Sequence, residues 1–172
     1  MNQTLNDIKT RRSVKAFRPE IVDDQLLDQV LEAGTWAASG MGKQPSVIVV
    51  VKDKQTICQL SQMTARIMGT VGDPFYGAPV VLIVLADRTR PTAVEDGALV
   101  LGNMMLAAHA LGVGSCWIHR AREEFDSPEG KALLEKWGVH GSLVGIGHLA
   151  IGYAAGKIPA PKPRKPDYIV RT

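Results

Sequence analysis

Cysteine, aromatic side chains and unbroken apolar runs are all scarce in this chain, and each scarcity removes a class of protein. The two cysteines among 172 residues, Cys58 and Cys116, lie far apart and form no CxxC or other ligand spacing. That pattern argues for reduced, partly buried thiols in a cytoplasmic protein rather than a metal site or a disulfide. Aromatics make up 5% of residues and no basic stripe is interleaved with them, so binding of nucleic acid by base stacking is not expected. The longest apolar stretch, Gly97 to Gly114, carries Asn103 and His109 and is opened by Glu95 and Asp96. It reads as a buried helix, not a membrane span. The start of the chain, Met1 to Asp7, has no apolar signal region.

Familiar catalytic and nucleotide motifs are missing too. Gly40-Met41-Gly42-Lys43 lacks the preceding strand and the spacing of a triphosphate loop, which excludes a nucleotide triphosphatase. Gly145-Ile146-Gly147 and the pair Gly112 and Gly114 lack the third glycine of a dinucleotide fingerprint. The histidines His109, His119, His140 and His148 show no metal-ligand spacing and read as structural, with His119-Arg120 the exception because it follows a strand end. No proteolytic triad is evident.

What the chain does have is a basic cluster at each end: Arg11-Arg12-Ser13-Val14-Lys15 and Lys162-Pro163-Arg164-Lys165. The net charge of +3 is modest, and several of the cations sit in these clusters. Alone, the first could be only a charged helix terminus, where cations favour the helix dipole. Its recurrence on a proline-rich tail, with no other evident reason for order, points to an anion site suited to phosphate.

The length suits one domain, or one domain plus an arm, with a full hydrophobic core. Thr4 and Asp7 suggest a capping box for a helix over Leu5 to Thr10. Asp23 or Asp24 can cap a second helix through Leu26, Leu27, Val30 and Leu31. Val47 to Val51 and Val80 to Ala86 are β-branched runs that predict strands buried on both faces, separated by a helix from about Lys54 to Met68. Val94 to Leu111 is apolar nearly all round, so its helix must be covered on every side, by the core or by a second subunit. Ser115 to Ile118 reads as a third strand. Ser127 and Pro128 start a helix through Trp137, and Val144 to Tyr153 reads as a fourth strand. Pro159, Pro161, Pro163 and Pro166 then stiffen an arm, and Asp167 to Arg171 could add one more strand.

Several pieces, taken in order, resemble the FMN-dependent nitroreductase family: Arg11-Arg12-Ser13-Val14-Lys15-Ala16-Phe17, Ala37-Ala38-Ser39 with Gln44-Pro45, Glu95-Asp96-Gly97 through Ser115-Cys116-Trp117, Gly152-Tyr153, and Lys162-Pro163-Arg164-Lys165. The resemblance covers nearly the whole chain. It implies an α+β fold, an α/β/α sandwich on a central, mostly antiparallel sheet, in an intertwined homodimer with FMN sites at the interface. Residues 1–156 would form the FMN-binding domain, and residues 157–172 an arm contributing to the site and the dimer.

Carried over by position, Arg11 and Ser13, with Lys162 and Arg164, would hold the FMN phosphate, Arg12 between them would also be cofactor-binding, and Lys15 would reach the pyrimidine edge of the flavin. Ala37, Ala38 and Ser39 would run beside the ring. Cys116, Trp117, Ile118 and His119 would line its other side, with Arg120 near the phosphate end. The chain departs from the family's frequent Asn at Gly42 and its Trp or His at Ser46. It also lacks the long insertion of larger members, so Gly42, Phe75 and Tyr76 are assigned to substrate, the two aromatics as a surface lid. The implied activity is ping-pong transfer of hydride from NAD(P)H through flavin N5 to a small oxidised acceptor such as a nitroaromatic or quinone. No catalytic side chain, metal, nucleic acid or membrane is called for. A flavin carrier or sensor without turnover is the alternative.

Overall fold

A computed structural model describes residues 2–172. The elements are α1 (Gln3–Thr10), α2 (Asp24–Thr35), β1 (Ser46–Val51), α3 (Lys54–Met68), β2 (Val80–Asp87), α4 (Ala93–Ala110), β3 (Gly114–Ile118), α5 (Ala121–Asp126), α6 (Pro128–Lys136) and β4 (Leu143–Gly152). The strands form one antiparallel sheet in the order β1-β2-β4-β3.

Alternation along the β2 run Val80-Val81-Leu82-Ile83-Val84-Leu85 builds two cores. Val80, Leu82 and Val84 pack with Leu27 and Val30 of α2 and Leu101 and Met104 of α4. Val81, Ile83 and Leu85 pack with Leu60 and Met63 of α3, Phe125 of α5 and Leu133 of α6. The result is the expected three-layer sandwich. Burial of each such side chain contributes roughly 1.5–3 kcal/mol.

Local signals set the helix ends. Asp23 accepts from Gln25 N at 2.9 Å, Asp53 from Thr56 N at 2.8 Å, and Ser127 from Gly130 N at 3.0 Å ahead of Pro128. Gly69, at φ 65°, closes α3 in the left-handed region that a side chain would resist.

Other expectations are corrected. Asn2, not Thr4, caps α1, because the helix begins two residues earlier and Asp7 instead accepts from Gln3 Nε2 at 2.8 Å. Strand β1 is not buried on both faces. It is the sheet edge, and Val47 and Val50 are 38% and 39% exposed because no layer of the chain covers them. Helix α4 likewise leaves Val94 and Leu99 half exposed, so the single chain does not enclose it. Residues 167–171 form no strand. Helix α5 was not anticipated, since its 6 residues are too few to show a period.

The edge at β3 is closed by the first basic segment. Ser13 bridges Ser115 in parallel, and Val14 N donates to Ser115 O at 3.0 Å. Phe17 bridges Ala154, Arg18 N donates to Tyr153 O at 2.8 Å, and Ala155 N donates to Ala16 O at 2.9 Å. The chain leaving α1 is thus stitched to the chain leaving β4, just where the C-terminal arm departs.

Candidate functional site

That stitching brings the two basic clusters together. A cleft of about 540 Å³ is lined by Arg11, Ser13 and Lys15 from one end of the chain and by Lys162 and Arg164 from the other. No carboxylate lines it. Among the described residues, none of these four cations is in an ion pair, whereas Arg18, Arg66, Arg88 and Arg90 are each paired. The geometry also leaves a demand unmet. Arg11 Nη1 and Arg12 Nε are buried without a hydrogen-bond partner. An orphaned buried donor costs roughly 1–3 kcal/mol, more when charged, and four unpaired cations lining a carboxylate-free cleft suit an anion with several acceptor oxygens. Phosphate fits.

Arg12 lines the same cleft but is held partly by the backbone. Its Nη1 turns back to Lys9 O at 2.8 Å and Arg11 O at 2.6 Å, closing the end of α1. Lys15 Nζ lies 6.0 Å from the centroid of the Tyr76 ring, which gives the ammonium a preferred position beside the cleft. Tyr76 itself holds φ at 56°, an uncommon conformation for a side chain of that size.

The β3 residues divide by pleat. Cys116 and Ile118 are buried and point into the core shared with α3, so they can meet a ligand only through their backbone, while Trp117 packs on the opposite face. Burial pushes the Cys116 thiol above its ordinary value, and the Ser13 hydrogen bond with the nearby Lys15 and Arg11 charges opposes that only in part. The thiol is therefore kept protonated. His119 lines a separate cavity of about 370 Å³ with Arg122 and Glu123. Arg120, expected near the phosphate end, does not line the cleft within one chain, and its guanidinium pairs with Glu123 at 2.9 Å. Arg120 also adopts φ 89°, holding the turn from β3 into α5 in a strained shape.

Ala37, Ala38 and Ser39 lie elsewhere. They line a mostly apolar groove of about 390 Å³ with Gln44, Pro45 and Asp96, and one chain does not join them to the cationic cleft. Ser39 Oγ accepts from Gln44 N at 3.0 Å, and the buried Asp96 accepts from Gly40 N and Thr92 Oγ1, each at 2.9 Å. These bonds hold a turn in which Met41 and Gln44 have φ of 54° and 49° and Gly42 is exposed. Trp36 and Met41, neighbours of this segment in sequence, are bare apolar surface at 80% and 91% exposure.

Phe75 is not a surface lid. Its ring is fully buried, 5.3 Å from the His148 ring, because Asp73 accepts from Phe75 N and Gly77 N and folds the turn inward. Sequence reasoning also missed a wholly buried polar cluster. Thr64 Oγ1 lies 2.6 Å from Glu124 Oε2, which is 3.2 Å from His148 Nε2. A histidine inside an apolar strand was its only sequence signal. No group of metal-ligating side chains occurs among the described residues, nor is any helix long and apolar enough to cross a membrane.

A three-layer α+β fold with a cationic cleft at the β3 edge defines a class, and comparison with known proteins specifies it. The chain belongs to the nitroreductase family, whose model matches residues 8–73 and 71–153. It is similar to a nitroreductase from Bacteroides fragilis NCTC 9343 solved with bound FMN, at 31% identity over 100% of both chains and a TM-score of 0.92. A second FMN-bound nitroreductase, from Desulfitobacterium hafniense DCB-2, aligns at 27% identity over 100% of this chain and 99% of that one, with a TM-score of 0.89. Among curated proteins, an FMN reductase [NAD(P)H] of Bacillus subtilis is 27% identical over 99% of this chain and 73% of its own length.

Proposed function

We propose that this protein is an FMN-dependent oxidoreductase that carries reducing equivalents from NAD(P)H to a small oxidised acceptor such as a nitroaromatic or quinone, in ping-pong order. The observation that carries the reading is the convergence of both basic clusters on one cleft that no carboxylate lines. The FMN named in the similar structures supports it. When bound, FMN supplies the two-electron chemistry that no side chain here provides.

The chain's own residues bind and tune. Arg11, Ser13, Lys162 and Arg164 hold the phosphate, and Lys15, steadied over Tyr76, presents a positive charge to the ring edge, which raises its reduction potential. Cys116, buried and protonated, is no nucleophile. The functional unit is a homodimer in which a second copy brings Ala37, Ala38 and Ser39 to the ring and the arm of residues 157–172 reaches across. The bare Trp36, Met41, Val94 and Leu99 support this. The free thiols Cys58 and Cys116 support a reducing, cytoplasmic setting.

Steady-state oxidation of NADH and NADPH by the FMN-loaded protein, with a nitroaromatic or a quinone as acceptor, tests the proposal. Acceptor-dependent turnover is expected. Flavin binding without turnover would make the protein a carrier or sensor instead.

A further inference from the structure

We propose that His109 is a positioning residue for the phosphate clamp, acting through Thr10; the inference rests on the reading of the cleft as an FMN phosphate site. Helix α1 ends directly at Arg11, so the direction in which it exits sets where that guanidinium points. Yet α1 buries none of its residues, and Leu5 and Ile8 are 51% and 52% exposed. Apolar packing within the chain therefore does little to fix the exit. Beyond Arg11 the Ser13 to Ser115 bridge pins the segment, and on the helix side a polar tether does the same: Thr10 Oγ1 lies 2.8 Å from His109 Nε2, joining the last residue of α1 to the last turn of α4 across 99 positions.

The hydrogens can be assigned. Thr10 has a single hydroxyl proton, and Asn6 O, at 2.8 Å, can only accept it. The hydroxyl oxygen must then accept from His109, so the imidazole carries hydrogen on Nε2. His109, Thr10, Arg11 and Arg12 also wall a small cavity of about 110 Å³ that shares Arg11, Arg12 and Val14 with the phosphate cleft. His109 thus lines a cavity that borders the clamp, and Thr10 links it to the residue before Arg11. Loss of its donor frees Thr10 and lets Arg11 swing out of register, which weakens a ligand that uses the clamp and spares one that does not.

Riboflavin, which has the ring of FMN and no phosphate, separates those effects. The test measures the affinities of flavin-free wild type, His109→Ala, Thr10→Val, the double variant and His109→Gln for FMN and for riboflavin, by flavin fluorescence. His109→Ala and Thr10→Val are each expected to weaken FMN roughly three- to ten-fold, the worth of one hydrogen bond, and to leave riboflavin unchanged. The double variant should be no weaker than either single one, and His109→Gln, which keeps an N–H donor, should recover most of the loss. Equal weakening of both ligands, additive losses, or unaltered FMN binding in His109→Ala would overturn the inference. Wild type that binds FMN no better than riboflavin would instead overturn the phosphate reading, and this inference with it.

Discussion

Truncation after Gly156 removes Lys162 and Arg164 from the cleft and leaves both cores intact, since every residue from 157 to 172 is exposed. Each charge-assisted contact to a phosphate contributes roughly 1.5–3 kcal/mol. Both cations are solvent-facing and share one anion, so their effects are not independent, and the low end applies: about 3 kcal/mol together, or roughly two orders of magnitude in affinity. Titration of FMN into flavin-free protein, followed by fluorescence quenching, reads the loss. Lys162→Ala with Arg164→Ala, which keeps the arm, should reproduce most of it, and the residual binding should depend less steeply on salt. Circular dichroism should report unchanged secondary structure. A truncated protein that binds FMN within about three-fold of wild type would refute the claim that the arm completes the phosphate site.

Three further outcomes follow from the packing and charge. In Gly147→Ala the new Cβ would stand 2.2 Å from Trp117 Nε1 and 2.9 Å from Cδ1 and Cε2, so the indole must shift at a cost of roughly 1–3 kcal/mol; an unchanged thermal midpoint and tryptophan emission would contradict this. Iodoacetamide at neutral pH should label the exposed Cys58 and spare the buried Cys116, as peptide mass mapping would read. Because burial raises the Cys116 thiol above its ordinary 9.0, its contribution to stability is complete below about that pH and declines as pH rises beyond it, where only the unfolded chain ionises; equal labelling of both thiols would deny the burial. Lys15→Met should make the potential of bound FMN more negative by roughly 30 mV, worth 1.4 kcal/mol for a two-electron couple, and an unaltered potential would remove Lys15 from its tuning role.

The parts of this fold that were legible in advance are those decided locally. Asp23, and Ser127 with Pro128, mark helix starts because a cap is a contact within a few residues, and the β-branched run at Val80 to Ala86 marks a central strand because both its faces must be apolar. Burial decided by distant neighbours was not legible. Val47 to Val51 looks like β2 in composition, yet it lies at the sheet edge. Phe75 sits in a stretch of Gly and Pro that reads as surface, yet the Asp73 carboxylate turns it into the core.

The site divides in the same way. The charge of both basic clusters is visible from the residues, and their recurrence at the two ends of the chain suggests one anion site. Their meeting depends on the Ser13 to Ser115 bridge and the Ala155 to Ala16 hydrogen bond, which no local pattern encodes. The resemblance also grouped Ala37 to Ser39 with the clamp, but one chain holds them in separate cavities, and no local pattern signals that separation. Thr10 and His109 carried no signal at all, being a common pair of residue types far apart in sequence.

The measurement that bears most directly on the whole account is the visible absorbance of purified, FMN-reconstituted protein, recorded under anaerobic conditions before and after addition of NADH or NADPH. The account predicts a yellow protein that retains stoichiometric FMN through gel filtration and bleaches with at least one of the two donors. A colourless protein that FMN cannot reconstitute would contradict it.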